Sequence, residues 1–373
     1  MRSDLPDTDT LWEEIFVGGG LAALALLAEL GGSPEGRTLV VDPLPPAERP
    51  PVHWSYWSRR PTPYDRFALG SWSRARVGRR APEPLDPYTL RLVLSTDVLT
   101  HLAGLLAPSG VRWLRATARE VRLRGDGLYT VVTDAGTLSA RRVFDSAPEV
   151  APAFPDVRGP QAVLSGTGLR VTADREVFDP ESATLLDPLD TSSFAYLLPL
   201  SSTEALIESA SFGPLARGMD KTPLLGYLRA RYPGAGFSVG HAEHGVIPLG
   251  FAPLRTAGPG HVLLGAKRGL VKPSAGYGVV PIARESERLA RLWREGLPLP
   301  PARKAHPGWH ALDRGFLRLA TRDFARPFAL LERVMRSVPL PDSLGFIHED
   351  LTPGRLARVA RSALPSLLSG PPR

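Results

Sequence analysis

The stretch Glu14-Ile-Phe-Val-Gly-Gly-Gly-Leu-Ala-Ala-Leu-Ala-Leu-Leu-Ala-Glu-Leu30 decides the fold of this chain. Ile15 to Val17 is a short apolar run that predicts a buried strand, and the apolar residues after Gly20 recur at helical spacing. A G-x-G-x-x-G/A turn with this composition lets the chain reverse and presents free N–H groups to a pyrophosphate at the start of the helix. The residues predicted to form this dinucleotide-binding turn are Gly18, Gly19, Gly20, Leu21, Ala22 and Ala23.

A second apolar run and an acid follow this helix. Residues Arg37-Thr-Leu-Val-Val-Asp42 predict a strand that ends in a carboxylate. An aspartate at this place accepts hydrogen bonds from ribose hydroxyls and disfavours a 2′-phosphate. The alternative is an ordinary βαβ unit whose glycines serve packing alone. Because strand, turn, helix, strand and acid occur in order, we favour the nucleotide site.

The composition excludes several kinds of site. The 373 residues are 43% hydrophobic and 22% charged, as in soluble globular proteins, and suffice for two or three packed domains. Cysteine is absent, which excludes disulfides, iron–sulfur clusters, thiolate-bound zinc and a cysteine nucleophile, and predicts a reducing compartment. The eight histidines show no H-E-x-x-H spacing, and no metal site is predicted.

The net charge of +7 at pH 7 favours an anionic partner. No DNA- or RNA-binding motif accompanies it, so we expect no nucleic acid. Residues 352–368 predict a basic amphipathic helix, which can lie on an anionic bilayer or dock on the protein's own core, the arrangement that we favour. Residues 1–10 lack the apolar part of a signal peptide, and no apolar run reaches the roughly 18 residues of a membrane span. We therefore expect a cytoplasmic protein associated peripherally with the inner membrane.

A second glycine-rich segment begins at the end of another predicted strand, His261-Val-Leu-Leu-Gly265. Residues Gly269-Leu-Val-Lys-Pro-Ser-Ala-Gly-Tyr-Gly278 then lead into a predicted helix. Glycines placed before a helix offer N–H groups to an anionic or ribityl ligand. A nucleotide site formed by one glycine turn near the start of the chain and another near its end fits FAD better than NAD, since FAD lies extended between two such turns. The residues of this segment predicted to bind the cofactor are Gly265, Gly269, Lys272, Pro273, Gly276 and Tyr277.

The rest of the chain consists of segments that differ in predicted secondary structure. Residues 90–106 have helical spacing, and Arg91 either reaches a phosphate or ribityl hydroxyl or is solvated. Residues 59–80 predict surface loops, and residues 118–143 predict a β-meander that returns to the nucleotide sheet. From residue 161 to 246, strands and turns predict a second, sheet-based domain. The predicted domains are a nucleotide-binding domain at 1–58, 85–150 and 255–298, a substrate-binding domain at 59–84 and 151–254, and a helical region at 299–373.

Two features of the sequence indicate candidate residues for substrate binding and catalysis. The run Val52-His-Trp-Ser-Tyr-Trp57 forms either an aromatic wall beside a cofactor ring or a cationic intermediate, or part of the core. Glu208 follows Leu206 and Ile207 in an otherwise apolar strand, where a carboxyl group tends to stay protonated and serves as a general acid. The alternative is an edge-strand glutamate that points to water. Glu243 is a second candidate with the same two interpretations.

A series of segments runs in one order along nearly the whole chain and resembles the lycopene cyclases of bacterial carotenoid synthesis. The segments are Gly18-Gly-Gly-Leu-Ala-Ala, His53-Trp-Ser-Tyr-Trp, Val143-Phe-Asp-Ser-Ala-Pro148, Glu176-Val-Phe-Asp-Pro, Tyr196-Leu-Leu-Pro-Leu, Leu206-Ile-Glu208, Glu243-His-Gly-Val-Ile-Pro248, Gly269-Leu-Val-Lys-Pro-Ser-Ala-Gly-Tyr277 and Phe346-Ile-His-Glu-Asp-Leu-Thr-Pro. The resemblance implies an α/β fold: a Rossmann-like FAD-binding domain of the two-dinucleotide-domain flavoprotein type, with an inserted, mostly antiparallel β-sheet substrate domain and C-terminal helices.

The resemblance also implies an activity. Family members bind FAD and use it in reduced form without net redox change, with NAD(P)H as the expected electron donor, and cyclise the ψ ends of lycopene to β-ionone rings, giving γ- or β-carotene. The family's acid, in a Leu/Phe-x-Glu-Asp/Glu-Thr motif, corresponds to Glu208, but Ser209 and Ala210 replace the second acid and the threonine. The residues expected around the substrate are His53, Trp54, Tyr56, Trp57, Tyr196 and Glu243.

Two other classes of protein stay open. An FAD-dependent reductase or hydroxylase of isoprenoid lipids would share the fold and would consume reduced nicotinamide in stoichiometric amounts. A non-enzymatic prenyl-binding protein would need no internal acid, so the glycine turns and Glu208 argue against it.

Overall fold

The computed structural model describes residues 10–32, 37–147, 162–250, 256–300, 307–321 and 325–368. Within them the strands are β1 (Leu11–Val17), β2 (Thr38–Val41), β3 (His53–Ser58), β4 (Ala68–Trp72), β5 (Arg74–Val77), β6 (Glu83–Pro84), β7 (Thr89–Leu94), β8 (Arg112–Leu114), β9 (Ala118–Leu123), β10 (Tyr129–Thr133), β11 (Gly136–Asp145), β12 (Ala162–Ala173), β13 (Ala183–Pro188), β14 (Ser193–Pro199), β15 (Glu204–Gly213), β16 (Phe237–Leu249) and β17 (His261–Leu263). The helices are α1 (Leu21–Leu30), α2 (Ser95–Leu106), α3 (Thr222–Arg231), α4 (Val279–Arg294), α5 (Pro307–Ala320), α6 (Ala325–Ser337), α7 (Leu340–His348) and α8 (Pro353–Leu368).

The first sheet is the nucleotide-type sheet. Strands β8, β2, β1, β11 and β17 run parallel, and the sheet continues with β10, which is antiparallel to β11, and β9, which is antiparallel to β10. Side chains of β1 alternate, so Phe16 packs under α1 and α4 while Ile15 and Val17 pack in the core beside the meander. The parallel strands therefore end at one edge, where the glycine turns lie.

The second sheet has the order β16-β12-β15-β14-β13-β5-β6, and every pairing except β13 with β5 is antiparallel. One face packs against α3 through residues such as Leu169 and Ile207. The opposite face, which includes Leu206 and Phe212, packs with side chains of the C-terminal helices such as Phe316 and Phe328. This second face carries the candidate site.

The small antiparallel sheet β3-β7-β4 lies between the two larger cores. Successive side chains of its strands point into different cores. Trp57 and Leu92 belong to the core of the second sheet, whereas Tyr56 and Val93 belong to the core around α1. Because both faces are largely buried, the run Leu90 to Leu94 is apolar except for Arg91 and lacks the alternation typical of a strand. The predicted helix over 90–106 is wrong for this part, since β7 ends at Leu94 and α2 begins at Ser95.

The structure confirms some of the remaining predictions and corrects others. The α/β class, the meander, the antiparallel sheet and the C-terminal helices are confirmed, while the loops predicted for 59–80 contain β4 and β5. Helix α8 docks on the protein, with Val359 and Ala363 buried, and no helix among the described residues is long and apolar enough to cross a membrane. Two segments lie outside the described residues: Pro34-Glu35-Gly36, for which the sequence predicts a turn before β2, and residues 151–155, for which it predicts a crossover between the domains. The domain boundaries stay a prediction.

Candidate active site

The first glycine turn leaves space at the start of α1. Gly18 has a φ of +88°, a conformation that favours glycine, and a Cβ at Gly19 would lie 2.1 Å from a ring atom of Trp113. A Cβ at Gly20 would meet nothing within 4 Å, and no side chain caps the helix there. The N–H of Gly19 donates to Oδ2 of Asp42 at 2.7 Å. The turn therefore offers an uncapped helix N-terminus beside open space and a carboxylate, which fits a dinucleotide.

The second glycine turn touches the first. Gly265 has a φ of +55°, and a Cβ there would lie 3.1 Å from Cβ of Ala22. Asp145, at the end of β11, accepts a hydrogen bond from Nζ of Lys267 at 2.8 Å and lies 3.4 Å from Nε2 of His261. Burial opposes ionisation of Asp145, yet these two partners outweigh it and lower its pKa. The ion pair thus holds the Gly265 turn against the parallel sheet.

Two predicted cofactor ligands have other partners. Nζ of Lys272 lies 2.8 Å from Oδ2 of Asp313 and 3.2 Å from Oε1 of Glu349, in a buried cluster with the C-terminal helices. Arg91 pairs with Asp65 at 3.1 Å and donates to Ser58 at 2.7 Å. The charge of each side chain is therefore balanced within the protein, and a role of either residue in cofactor binding stays a prediction.

The turn that contains Pro273 and Gly276 positions Tyr277. Lys272 N donates to the carbonyl of Tyr277 at 2.9 Å, and Gly276 N donates to the carbonyl of Lys272 at 2.8 Å. Gly276 has a φ of +76° and packs on β12. The segment that begins at the Gly265 turn therefore ends by presenting the ring of Tyr277 to the second sheet.

One row of residues crosses the second sheet. Tyr196 on β14 lies opposite Glu208 on β15, Glu208 opposite Gly168 on β12, and Gly168 opposite Glu243 on β16. Directly opposite residues of antiparallel strands share a face, so the two glutamates project on the same side. A Cβ at Gly168 would lie 2.7 Å from Cγ of Glu243 and 3.1 Å from its Oε1. The glycine makes room for Glu243 to lean over β12 toward Glu208.

Glu208 lies on an inner strand, because β15 pairs with β12 on one side and β14 on the other. The alternative of an edge-strand glutamate that points to water is thereby excluded. Burial, and then the negative charge of Glu243, raises the pKa of Glu208 to about 8 from an ordinary value of 4.5. The carboxyl group is therefore protonated at neutral pH.

Glu208 faces an internal apolar space together with two tyrosines. Tyr196, Tyr277 and Glu208 keep some accessible area although they lie deep in the protein, so they line a space. The hydroxyl groups of Tyr196 and Tyr277 are hydrogen-bonded to each other, and burial raises the pKa of each tyrosine. Partly buried apolar side chains continue this lining: Leu164, Leu200, Ile247 and Val271.

Strand β3 divides the predicted aromatic segment between two faces. Trp57 meets Tyr277 edge to face with ring centroids 6.0 Å apart, and His53 on the same face contacts Glu243. Trp54 and Tyr56 pack in the core of α1 and α2 instead. Alternate side chains of a strand point to opposite faces, so Trp54 and Tyr56 point away from the predicted substrate lining, whereas His53 and Trp57 lie on its side. Contact of His53 and Trp57 with a substrate stays a prediction.

Glu243 is held by two histidines. The backbone N of His53 donates to both carboxylate oxygens, at 3.0 and 3.1 Å, and Nδ1 of His53 lies 2.8 Å from Oε2. Nε2 of His241 lies 3.4 Å from Oε2. One nitrogen or oxygen atom from each residue falls within a mutual distance of 4.8 Å, so the cluster also has the size of a cation site. Sequence spacing missed it, since His53 and Glu243 are 190 residues apart, although the pattern His241-x-Glu243 places two polar residues on one face of a strand.

Position 209 does not face the acid. Oγ of Ser209 lies 3.3 Å from the backbone N of Thr167, on the side of β15 that packs toward α3. A carboxylate at this position would project away from Glu208. The carboxylate that accompanies Glu208 on its own face is Glu243.

Comparison with known proteins places these features in a family. A sequence profile described as "Lycopene cyclase protein" matches residues 14–357. The chain belongs to the lycopene cyclase family. None of the curated proteins compared with it matches.

Solved structures of flavoproteins share the fold at low sequence identity. A geranylgeranyl bacteriochlorophyll reductase-like protein from Thermoplasma acidophilum is 14% identical with a TM-score of 0.55, covering 96% of this chain and 98% of its own. A flavoprotein/dehydrogenase from Cytophaga hutchinsonii is 11% identical with a TM-score of 0.57, covering 95% and 96%. The flavin-dependent monooxygenase PieE, solved with FAD and substrate, is 14% identical with a TM-score of 0.54, covering 96% and 72%. This lycopene cyclase family member therefore has the fold of FAD-dependent flavoproteins.

Proposed function

We propose that the protein cyclises the ψ ends of lycopene to β-ionone rings by acid catalysis, with reduced FAD bound and no net redox change. The observation that carries the proposal is Glu208: a protonated carboxyl group on an inner strand, facing an apolar space, in a chain of the lycopene cyclase family. A protonated acid is the group that an alkene requires for ring closure.

The reaction begins with a proton on Oε of Glu208. Its transfer to C2 of lycopene leaves a tertiary cation at C1, and the C5=C6 double bond attacks C1 and moves the positive charge to C5. Loss of the proton at C6 then restores C5=C6 within the new ring. The rings of Tyr196 and Tyr277 lie beside the acid and offer faces to the cation, Trp57 packs against Tyr277 from behind, and the apolar lining excludes the water that would capture the cation.

FAD fits the two glycine turns. The N–H groups of Gly20 to Ala23 and the Gly265 turn would hold its phosphates, and Asp42 would accept from its ribose. The reduced flavin supplies negative charge that favours a neighbouring cation. We propose NAD(P)H as the source of its electrons.

The test is an anaerobic assay with purified protein, FAD, dithionite and lycopene in liposomes. We expect a blue-shifted product of unchanged mass from the wild type, and a loss of about 10³-fold or more in Glu208→Gln, because an amide has no proton of the required acidity. Glu204→Gln is the matched control: it makes the same change on the same strand at a partly exposed residue paired with Arg170. Ring formation at the wild-type rate by Glu208→Gln would refute the assignment.

The same assay separates the alternative chemistry. The T. acidophilum neighbour is named for a reductase and PieE for a monooxygenase, so a redox reaction on an isoprenoid lipid is the second candidate. A product that gains two hydrogens or one oxygen, formed with stoichiometric use of NAD(P)H, would favour it over cyclisation.

A further inference from the structure

Ring closure requires two proton transfers, and the structure holds two carboxyl groups in unlike surroundings. Glu208 and Glu243 lie on one face of the second sheet with only Gly168 between them. Glu208 is surrounded by apolar side chains, and no positive group contributes to its protonation state among the described residues. Glu243 accepts hydrogen bonds from the backbone N–H of His53 and lies beside the rings of His53 and His241. When one of two neighbouring carboxyl groups lies in apolar surroundings and the other accepts hydrogen bonds, the first is suited to act as the acid and the second as the base.

We propose that Glu243 is the base that removes the C6 proton, with His53 and His241 as its positioning residues; this inference rests on the proposed cyclase function. The C6–H bond breaks, its electron pair forms C5=C6, and the proton goes to the carboxylate of Glu243. Glu208 has meanwhile given one proton to C2 and regains one from solvent. One proton enters and one leaves, so no further reactant is needed.

Three contacts prepare Glu243 for this role. The backbone and Nδ1 of His53 fix both carboxylate oxygens, and the missing side chain of Gly168 lets the carboxylate lean toward the acid. The carboxylate also places a negative charge on the face where the cation forms. His241 is one-third exposed, so it connects the buried carboxylate with solvent and gives the proton an exit.

A cation site is the competing interpretation of this cluster. The backbone N–H of His53 donates to both carboxylate oxygens of Glu243, at 3.0 and 3.1 Å, and Nδ1 of His53 lies at hydrogen-bond distance from Oε2. Both oxygens are thus engaged by a hydrogen-bond donor, which is the arrangement of a positioned carboxylate. The observations therefore favour the base.

The identity of the base decides which ring forms. The cation at C5 loses its proton from C6 to give the β ring, from C4 to give the ε ring, or from the C5 methyl group to give an exocyclic double bond. It can also capture water and gain the mass of one water molecule. An enzyme that keeps its acid and loses its base should therefore still start the reaction but end it differently.

The experiment is product analysis of Glu243→Gln with bound FAD, dithionite and lycopene in liposomes. We expect β-ring formation to fall by about 100-fold or more, with a raised share of ε rings, exocyclic double bonds and hydrated ends among the products. Glu208→Gln should form no ring of any type. Wild-type β-ring rate and purity in Glu243→Gln would overturn the inference while leaving the cyclase assignment intact, whereas failure of the wild type to form rings would overturn both.

A second variant covers the case in which Glu243→Gln does not retain flavin. Gly168→Ala keeps every titratable group but displaces Glu243, since the new Cβ would lie 2.7 Å from its Cγ. We expect the same change in ring type, and we expect none from Gly245→Ala, whose Cβ would meet nothing within 4 Å. Unchanged ring type in Gly168→Ala would count against the base. One tightly bound divalent metal per chain in the purified protein, required for activity and removed by EDTA, would make Glu243 a ligand and also overturn the inference.

Discussion

The proposed cyclisation requires Glu208 to hold a proton at neutral pH, and the position of Glu208 in β15 explains how it does so. The strand is inner, its neighbours on that face are apolar or aromatic, and the nearest charge that acts on it is the negative Glu243. Each of these factors disfavours the ionised form. The same side chain at Glu204, four residues earlier and paired with Arg170, has a positive partner and greater contact with water.

The pH dependence of cyclisation follows from this environment. The pKa of Glu208 is raised to about 8 by burial and by Glu243, so the acid is mainly protonated below pH 8 and ionised above it. We expect the rate on saturating lycopene to be level near pH 7 and to fall about tenfold per pH unit well above pH 8. Stopped anaerobic assays across this range, with product quantified by chromatography, measure the profile. A rate that rises through pH 8 would show that the ionised form is the active one.

At the scale of one element, we propose that the N-terminus of α1 binds the phosphates of the cofactor. Gly20→Ala adds a methyl group that meets nothing within 4 Å in the protein, so the fold should tolerate it. The methyl group would project into the space that a pyrophosphate needs, and we expect FAD affinity to fall by about tenfold or more. Flavin retained after gel filtration and titration by fluorescence measure the change. Gly104→Ala in α2, whose Cβ also meets nothing, is the control and should bind FAD as the wild type does.

The C-terminal helices depend on the buried amine that the sequence assigned to the cofactor. Lys272 joins the glycine-rich segment to Asp313 of α5 and to Glu349, and it lies 4.5 Å from the ring centre of Phe346. Removing one partner of a buried ion pair costs about 3–5 kcal/mol. We expect Lys272→Met to lower the free energy of unfolding by this amount in urea titrations and Asp313→Leu to restore part of it in the double variant. A large loss of FAD affinity with unchanged stability would contradict this role.

The limits of sequence reasoning appear most clearly in β3 and β7. The glycine turn, the meander and Glu208 carry local patterns, so the sequence locates them. The aromatic run of β3 divides between two cores by the alternation of a strand, and period alone cannot say which core each face meets. In β7, Leu90 and Leu92 are buried in one core and Val93 in the other, so this strand lacks a clear alternation of apolar and polar residues. The contact of His53 with Glu243 spans 190 residues and depends on the pairing of sheets, which no local pattern encodes.

At the scale of the whole molecule, the candidate site lies where three sheets meet. The parallel sheet supplies the glycine turns, the second sheet supplies the two glutamates, and the small sheet supplies His53 and Trp57. The segment from Gly265 to Tyr277 connects the cofactor turn with the acid. Chemistry and cofactor are thus positioned by different parts of the fold, so variants at Glu208 and at Gly20 should affect separate steps.

We propose that the protein binds membranes through its net charge and without a spanning helix. Lycopene dissolves in bilayers, and the chain carries a net charge of +7. Arg355 and Arg358 of α8 are engaged by Asp342, so the attraction should come from the summed charge more than from this helix. We expect the protein to float with vesicles that contain phosphatidylglycerol at low ionic strength and to dissociate as ionic strength rises from about 0.05 to about 0.5 M, where screening shortens the range of the field. Equal binding to purely zwitterionic vesicles at every salt concentration would contradict the electrostatic mechanism and indicate apolar insertion instead.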